Sequence, residues 1–539
     1  MDISDATPPQ HDDEGISGDS GFYADDVPFR SGVVVEQAPL RMAYVAALNG
    51  FDPPRPEGRF RYCDLGCGDG TTLNALASVY PEAEFFGIDF NERHIADARD
   101  TAATAGLENV RYVQASFTEA ARHDLPAFDF IGMNGIYAWL DKDVLPSVHA
   151  FLADHLRPGG LFAVEYLCMP GMIAIVPMWH LVQALVPSDG GSSHERATRA
   201  LRVLEELAGG GMAYLAKHET ARRAVASYVR RWRSKPAWID HFAHNALASG
   251  FRPRFFNEMS EEMAAAGLGF AGRLDVALND PELCVPLKQL SLLRGIEDRP
   301  TRELLMDFIR NERNRRDLFV MRGEPDPAAA RDFLLNEVRF LARTPTGAAA
   351  PSLSLPGGRR VPLTGPGYDS LIAGFEGAAC ALREIELPEP VSDDTLITAA
   401  FRLFATGRYF LCGDTVDVIS GPDIPAQVEM PMAINRRLLD MAIESIATPH
   451  LMAEATGGPA IQLGPLEAVI IKGWMKVGYG EAAAEAHANL AGRHETVRIN
   501  GAERPLSSLS ERQLVRVRDQ LESVKIRNML RLGILKAVA

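Results

Sequence analysis

The chain has 539 residues, of which 47% are hydrophobic and 23% charged, so it is a soluble-type globular sequence large enough for two to four domains. Its formal net charge of -16 sets up a field that repels nucleic acid phosphates and anionic membranes, so neither is an expected partner. The six cysteines are scattered without metal-type spacing, which points to a reducing compartment and to no metal site.

Residues 1–28 hold eight acids and no Lys or Arg, and residues 1–20 are expected to be a disordered acidic tail. No basic and apolar leader pattern stands at the start, so a cytoplasmic location is expected. The longest apolar stretch, Leu161 to Val186, is interrupted by Glu165, Pro170, Pro177 and His180. It reads as a buried strand followed by a helix rather than a membrane span. Helical spacing over Glu36 to Leu48 predicts a first helix.

From Arg61 to Val164 strands and helices alternate. RYCDL, AEFFGID, VRYVQAS, FDFIGMN and LFAVEYL read as strands. TTLNALASVY, NERHIADARDTAATAG and DVLPSVHAFLADHL read as helices, the second opening at Asn91 and ending at Gly106. This rhythm predicts an α/β, Rossmann-like doubly wound sheet over residues 21–185. Residues 186–343 read as a mainly helical domain. It includes a helix capped at Ser260, a closing helix TRELLMDFIRNERNRRDLF, and a basic stretch from Arg222 to Lys235 that is either a solvated face or a surface for an acidic partner or nucleic acid. The stretch 344–358 reads as a linker, and 359–539 as a small α+β C-terminal domain with β-like runs RRVPLT and RYFLCG.

The chemistry concentrates in YCDLGCGDGTTLNAL. Gly66, Gly68 and Gly70 lie between a strand and a helix, where backbone approaches a ligand closely and a helix N-terminus points at it. The register is G-x-G-x-G rather than G-x-G-x-x-G, and Asp64 precedes it. An acid there repels a pyrophosphate and suits the ammonium and sulfonium of S-adenosylmethionine. Asp89 ends the second strand, placed to accept ribose hydroxyl hydrogen bonds, and Phe90 follows to pack on adenine. Ser116 and Phe117 follow the third strand, and Asn134 ends the fourth. Together with Cys67 of the loop, these form the expected S-adenosylmethionine site. Tyr137, Trp139 and Tyr166, with Asn134, are the candidates at the reacting end, because aromatic faces suit ammonium or sulfonium groups. Of these, Tyr166 is a weaker candidate, as is Glu165 beside it at the fifth strand's end; Tyr23, before the first helix, is expected to fold over the cofactor, and His94 is expected on an exposed helix face.

FYADDVPF with the first helix, then DLGCGDG, NGIYAWL and YLCMPGM, resemble the N-terminal half of rickettsial-type bacterial protein lysine methyltransferases. HNALASGFRPRFFNEMSEEMAAAGLGFAGRLD resembles the methyltransferase regulatory domain of that family, and DFIRNERNRRDLF its closing helix. The resemblance implies a winged-helix-like end domain and methylation of lysine in a protein substrate. The chain departs from the family at Gln37-Ala38-Pro39, where a Thr-His-Pro is usual, and at Leu167 and Met172, where Asn and Trp are usual. A small-molecule acceptor and a non-catalytic, S-adenosylmethionine-responsive binding protein are the alternatives. Asn134-Gly135-Ile136-Tyr137 lacks the Pro-Pro-aromatic pattern of DNA adenine methylation. No sequence feature sets an oligomeric state.

Overall fold

The computed structural model describes residue 26 and residues 32–187, 191–234, 238–248, 250–343, 351–413, 423–445, 449–493, 495–499 and 502–538. The acidic tail, Tyr23 and Lys235 lie outside the described residues.

Seven strands form one sheet: β1 (Arg61–Leu65), β2 (Glu84–Asp89), β3 (Val110–Gln114), β4 (Phe128–Met133), β5 (Leu156–Leu167), β6 (Leu268–Arg273) and β7 (Asn314–Met321). Their order is β3-β2-β1-β4-β5-β7-β6. The first five run parallel; β7 is antiparallel to both β5 and β6. Their interiors are apolar and buried, as strands covered on both faces must be. Strand order reverses between β1 and β4, which opens a crevice at their carboxyl ends.

The helices are α1 (Pro39–Leu48), α2 (Thr71–Ala77), α3 (Glu92–Ala105), α4 (Leu145–His155), α5 (Val176–Leu185), α6 (Ser193–Gly209), α7 (Ala213–Lys217), α8 (Glu219–Ser234), α9 (Trp238–Ala246), α10 (Phe256–Ala265), α11 (Pro281–Cys284), α12 (Leu287–Arg294) and α13 (Arg299–Arg310). Asn91 caps α3 by accepting from the Arg93 and His94 N–H groups, at 3.0 and 3.3 Å. Ile95, Ala98 and Ala102 then bury one stripe of that helix. Helices α5, α6, α8 and α9 share a separate core around Trp179, Leu201, Val225 and Phe242, and together roof one end of the crevice.

The middle region is less purely helical than its sequence indicates, since β6 and β7 return from it to the main sheet. The run read as one closing helix splits: α13 ends at Asn311 in a left-handed conformation, and β7 follows. The strand is hidden in sequence by Arg315 and Asp317, which are fully buried because Arg315 pairs with Asp317, Asp307 and Glu303 and Asp317 also accepts from Tyr166. Ser260 is not a cap. Helix α10 starts four residues earlier at Phe256, and Glu258 closes its first turn on the Phe255 N–H at 2.9 Å.

The division at 343 falls beside a sheet rather than between domains. Arg339–Ala342 is the central strand between Cys380–Ala381 and Tyr409–Cys412. Within the stretch read as a linker, Ser352–Ser354 pairs with Arg360–Pro362. One apolar core runs from α1 and α2 through Phe333 and Phe340 to Phe375 and Phe401, so the C-terminal region is fused to the sheet's flank. A second core around Trp474 holds the remaining C-terminal helices. Among the described residues no helix is long and apolar enough to cross a membrane.

Candidate active site

The glycine loop joins β1 to α2. Gly66 has φ +76°, and a Cβ there would stand 1.9 Å from Ile136 Cδ1. Gly70 has φ +67°, and a Cβ would meet the Tyr112 hydroxyl at 2.5 Å and Ala98 at 2.6 Å. The loop therefore holds a left-handed path pressed between β4's exit and α3, which only glycine occupies without strain. Asp89 holds it in place: its carboxylate accepts the Gly68 N–H at 3.0 Å and the Asn91 N–H at 2.9 Å.

This loop forms one wall of a cavity of about 400 Å³, lined there by Asp64, Gly66, Cys67, Gly68, Asp89 and His94. Asp64 is buried, and its Oδ1 has no hydrogen-bond partner among the described residues. Burial, reinforced by the nearby Asp89 charge, pushes its pKa up to about 7. An orphaned buried carboxylate oxygen is costly unless a ligand donor meets it, so this wall fits a cationic group. His94 is buried, with Nδ1 3.5 Å from Asp89 Oδ1, and not on an exposed face. It lies in the first turn of α3, on the side that faces the loop, where Asp89 and the Asn91 cap hold it. Burial opposes its charge, but Asp89, Asp69 and Asp97 outweigh that and hold its pKa above the ordinary value. Burial, with Asp89 and Asp64 adding to it, pushes the Cys67 thiol up, so it is protonated.

The opposite end of the cavity is walled by rings: Trp139, Trp179, Tyr228, Trp238 and Phe242. Tyr228 stacks on Trp238 at 5.8 Å between centroids and meets Phe242 edge-on at 5.5 Å. Trp139 is fixed by its indole N–H donating to the Asn245 carbonyl at 3.2 Å. Asn134 stands between the two ends, its Oδ1 buried and without a partner. Glu165 accepts from Asn314 at 2.7 Å and pairs with Arg316 at 3.4 Å, so its charge is already engaged. Arg231 and Arg313 complete this end.

Residues 57–195 match the methyltransferase domain family, and residues 240–321 match the family described as a predicted methyltransferase regulatory domain. The chain thus has a methyltransferase-type region followed by a regulatory-type region, each matching its family over that part of the chain. An uncharacterised Synechocystis protein is 31% identical over 302 residues, covering 55% of this chain and 58% of that protein. An uncharacterised Rickettsia prowazekii protein is 23% identical over 309 residues, covering 56% and 53%. The chain thus spans little more than half the length of these relatives. Trans-aconitate 2-methyltransferase of Deinococcus radiodurans is 33% identical over 125 residues, covering 23% of the chain and 44% of that enzyme. The fold is shared with PKMT2 from Rickettsia typhi, solved in complex with AdoHcy, at a TM-score of 0.65 and 16% identity over 94% of this chain and 99% of that one.

Within the methyltransferase domain the cavity gathers Asp64, Gly66, Cys67, Gly68, Asp89, Asn134, Trp139 and Tyr166. Other expected residues stand off it. Gly70 lies beneath the loop. Ser116 binds Glu119 at 2.7 Å, and Phe117 reaches toward Gly66 from behind. Phe90 projects next to Asp89 and is 40% exposed. Tyr166 lines the wall, but its hydroxyl is buried and donates to Asp317 at 2.6 Å. Tyr137 does not line the cavity. It is fully buried behind the wall, with its hydroxyl donating to Glu262 at 2.7 Å and the Arg254 guanidinium 4.8 Å over its ring. Trp179, Tyr228, Trp238 and Phe242 were not legible as site residues, because at helical spacing they read as core. One signal pointed to them: the chain has only five tryptophans, and three line this cavity.

Proposed function

We propose that the chain transfers the methyl group of S-adenosylmethionine to lysine side chains of a protein substrate. The observation that carries this reading is one cavity with buried carboxylates at one end and a ring wall at the other. When bound, S-adenosylmethionine supplies an electrophilic methyl group on a sulfonium. Asp64 receives its amino group, and Asp89 accepts from the ribose hydroxyls. The glycine loop lets the cofactor lie against backbone N–H groups of the α2 start.

The rings of Trp139, Trp179, Tyr228, Trp238 and Phe242 take the alkyl chain of the acceptor and face a cationic nitrogen through their π-faces. A free lysine has a pKa of about 10.4, and burial among rings lowers it toward the neutral, attacking form. Asn134 Oδ1, buried and unpartnered, accepts an N–H of the amine and aims its lone pair along the line of displacement. The sequence resemblance to rickettsial-type protein lysine methyltransferases, and a fold shared with Rickettsia typhi PKMT2 over nearly the whole chain, support a protein acceptor.

A second reading has its own observation. Arg231 and Arg313 line the acceptor end, and guanidinium groups suit a carboxylate. The local similarity to trans-aconitate 2-methyltransferase agrees with a small acidic acceptor. Incubating the protein with methyl-labelled S-adenosylmethionine and a host lysate separates the two. Label in protein that hydrolyses to methyl-lysine is expected. Label confined to small molecules would replace this reading by the second. Cofactor binding with no label anywhere would make the chain a binding protein.

A further inference from the structure

Two arginines that do not line the methyl-transfer cavity meet where the sheet's flank joins the C-terminal region, in a cavity that shares only Asn314 with it. Arg41 projects from α1, and Arg343 directly follows the strand Arg339–Ala342. Both line two adjoining cavities, of about 570 and 240 Å³, which also share Phe404 and Tyr409.

The polar groups here are unfinished. The Arg343 guanidinium has no hydrogen bond or ion pair among the described residues; its Nε is buried and orphaned, and it lies 4.3 Å over the Phe410 ring. Tyr409 is 1% exposed, and its hydroxyl has no partner among the described residues. In the smaller cavity His450 Nδ1 is likewise buried and unpartnered. Arg41 spends its Nε and Nη2 on the Leu274 carbonyl, at 3.0 and 2.8 Å, and keeps Nη1. The two carboxylates of the larger cavity are already taken. Asp275 pairs with Arg316 at 3.1 Å, and Glu312 with Arg310 at 3.1 Å and Arg273 at 3.2 Å. Neither neutralises Arg343. A half-buried guanidinium with a buried Nε, beside a buried hydroxyl and a buried imidazole nitrogen, none of them partnered among the described residues, is costly in isolation.

We propose that this junction is an anion site that takes a phosphoryl group, either free or carried on a small metabolite. The donors come from separate elements that line the same pair of cavities, which suits the three terminal oxygens of a phosphoryl group better than the two of a carboxylate. Arg343 offers a fork for two of them. The space beside Phe404 exceeds a bare phosphate and admits an organic group on the fourth oxygen. An occupant would tie α1, the residue after Arg339–Ala342 and the strand Tyr409–Cys412 together. Binding therefore stabilises the junction of the two halves.

The test is calorimetric titration of the intact protein with inorganic phosphate and with phenyl phosphate, chloride at matched ionic strength serving as control. Thermal unfolding is followed in parallel. Saturable binding and a raised Tm with a phosphate, but not with chloride, are expected. Tighter binding of phenyl phosphate assigns a carried group, and tighter binding of inorganic phosphate a free one. Arg343→Gln should weaken binding by about tenfold or more, the loss of a charged donor, and Tyr409→Phe by about threefold. Tyr409→Phe removes one oxygen from a packed ring and so serves if Arg343→Gln does not fold. Absence of saturable binding for both phosphates overturns the proposal, as does unchanged affinity in the variants that fold.

Discussion

The two ends of the central cavity are built on opposite principles. The end proposed for the cofactor is backbone and carboxylate: Gly66, Gly68, Asp64 and Asp89, all within the first two strand–helix turns of the sheet. The acceptor end is side chain and helix: rings from the turn after β4 and from α5, α8 and α9, on a roof with its own apolar core. The difference teaches a division of labour. On the proposed function, a rigid sheet edge fixes the group that every reaction cycle shares, and a separately packed layer shapes the pocket for whatever accepts the methyl group.

The largest effect expected of this division is at Asp89. Asp89→Ala removes the ribose acceptor and also releases the Gly68 and Asn91 N–H groups that it holds. Two to three charge-assisted hydrogen bonds put the loss of S-adenosylmethionine affinity at about a hundredfold. Calorimetry that gives wild-type affinity would break the assignment of this end. Gly66→Ala tests the backbone half of the same end. Left-handed strain alone costs about 1–2 kcal/mol, so affinity should fall by about tenfold or more even where Ile136 moves aside.

Asp64 sharpens the comparison through pH. Its pKa in the ligand-free fold, about 7, lies above the usual carboxylate range. The folded chain thus holds a proton there that the unfolded chain has already lost. The stability this contributes is complete below the unfolded value, near 4, and is lost as pH rises through about 7. Cofactor binding runs the other way, because a bound ammonium favours the carboxylate. S-adenosylmethionine affinity should rise with pH through this window, and binding near pH 6.5 should release a proton, seen as a dependence of calorimetric enthalpy on buffer. Asp64→Asn should abolish the release and weaken binding by about tenfold. Proton release that persists in the variant would move the titration to another group.

At the acceptor end, Trp238→Ala should lower turnover by about tenfold while S-adenosylmethionine affinity stays within about twofold. An equal loss of both would mean that the roof is needed to hold the cofactor, and the division of labour would fall. This separation also explains what could be read from the chain alone. The sheet and the cofactor end were legible because their residues follow one another through short turns, so spacing alone brings them together. The acceptor end was not. Trp179, Tyr228, Trp238 and Phe242 converge only through helix packing, and β7 was hidden by Arg315 and Asp317, whose charges are met inside the protein by each other and by Asp307, Glu303 and Tyr166.

The smallest effect concerns Tyr137, which sequence position placed at the reacting end and the fold places behind it. Its hydroxyl donates to Glu262, whose carboxylate stays paired with Arg254 at 2.8 Å when that hydroxyl is removed. His149 Nε2, 2.9 Å from the same hydroxyl, loses a neighbour but not its place in α4. Tyr137→Phe therefore costs one hydrogen bond in a network that retains its charges, about 1 kcal/mol of stability. For a chain of this size that lowers Tm by a few degrees at most. Turnover per folded molecule should not change, because no atom of the hydroxyl reaches the cavity. A fall in turnover at unchanged Tm would draw Tyr137 into the reaction and make the acceptor end, like the cofactor end, readable from a single strand terminus.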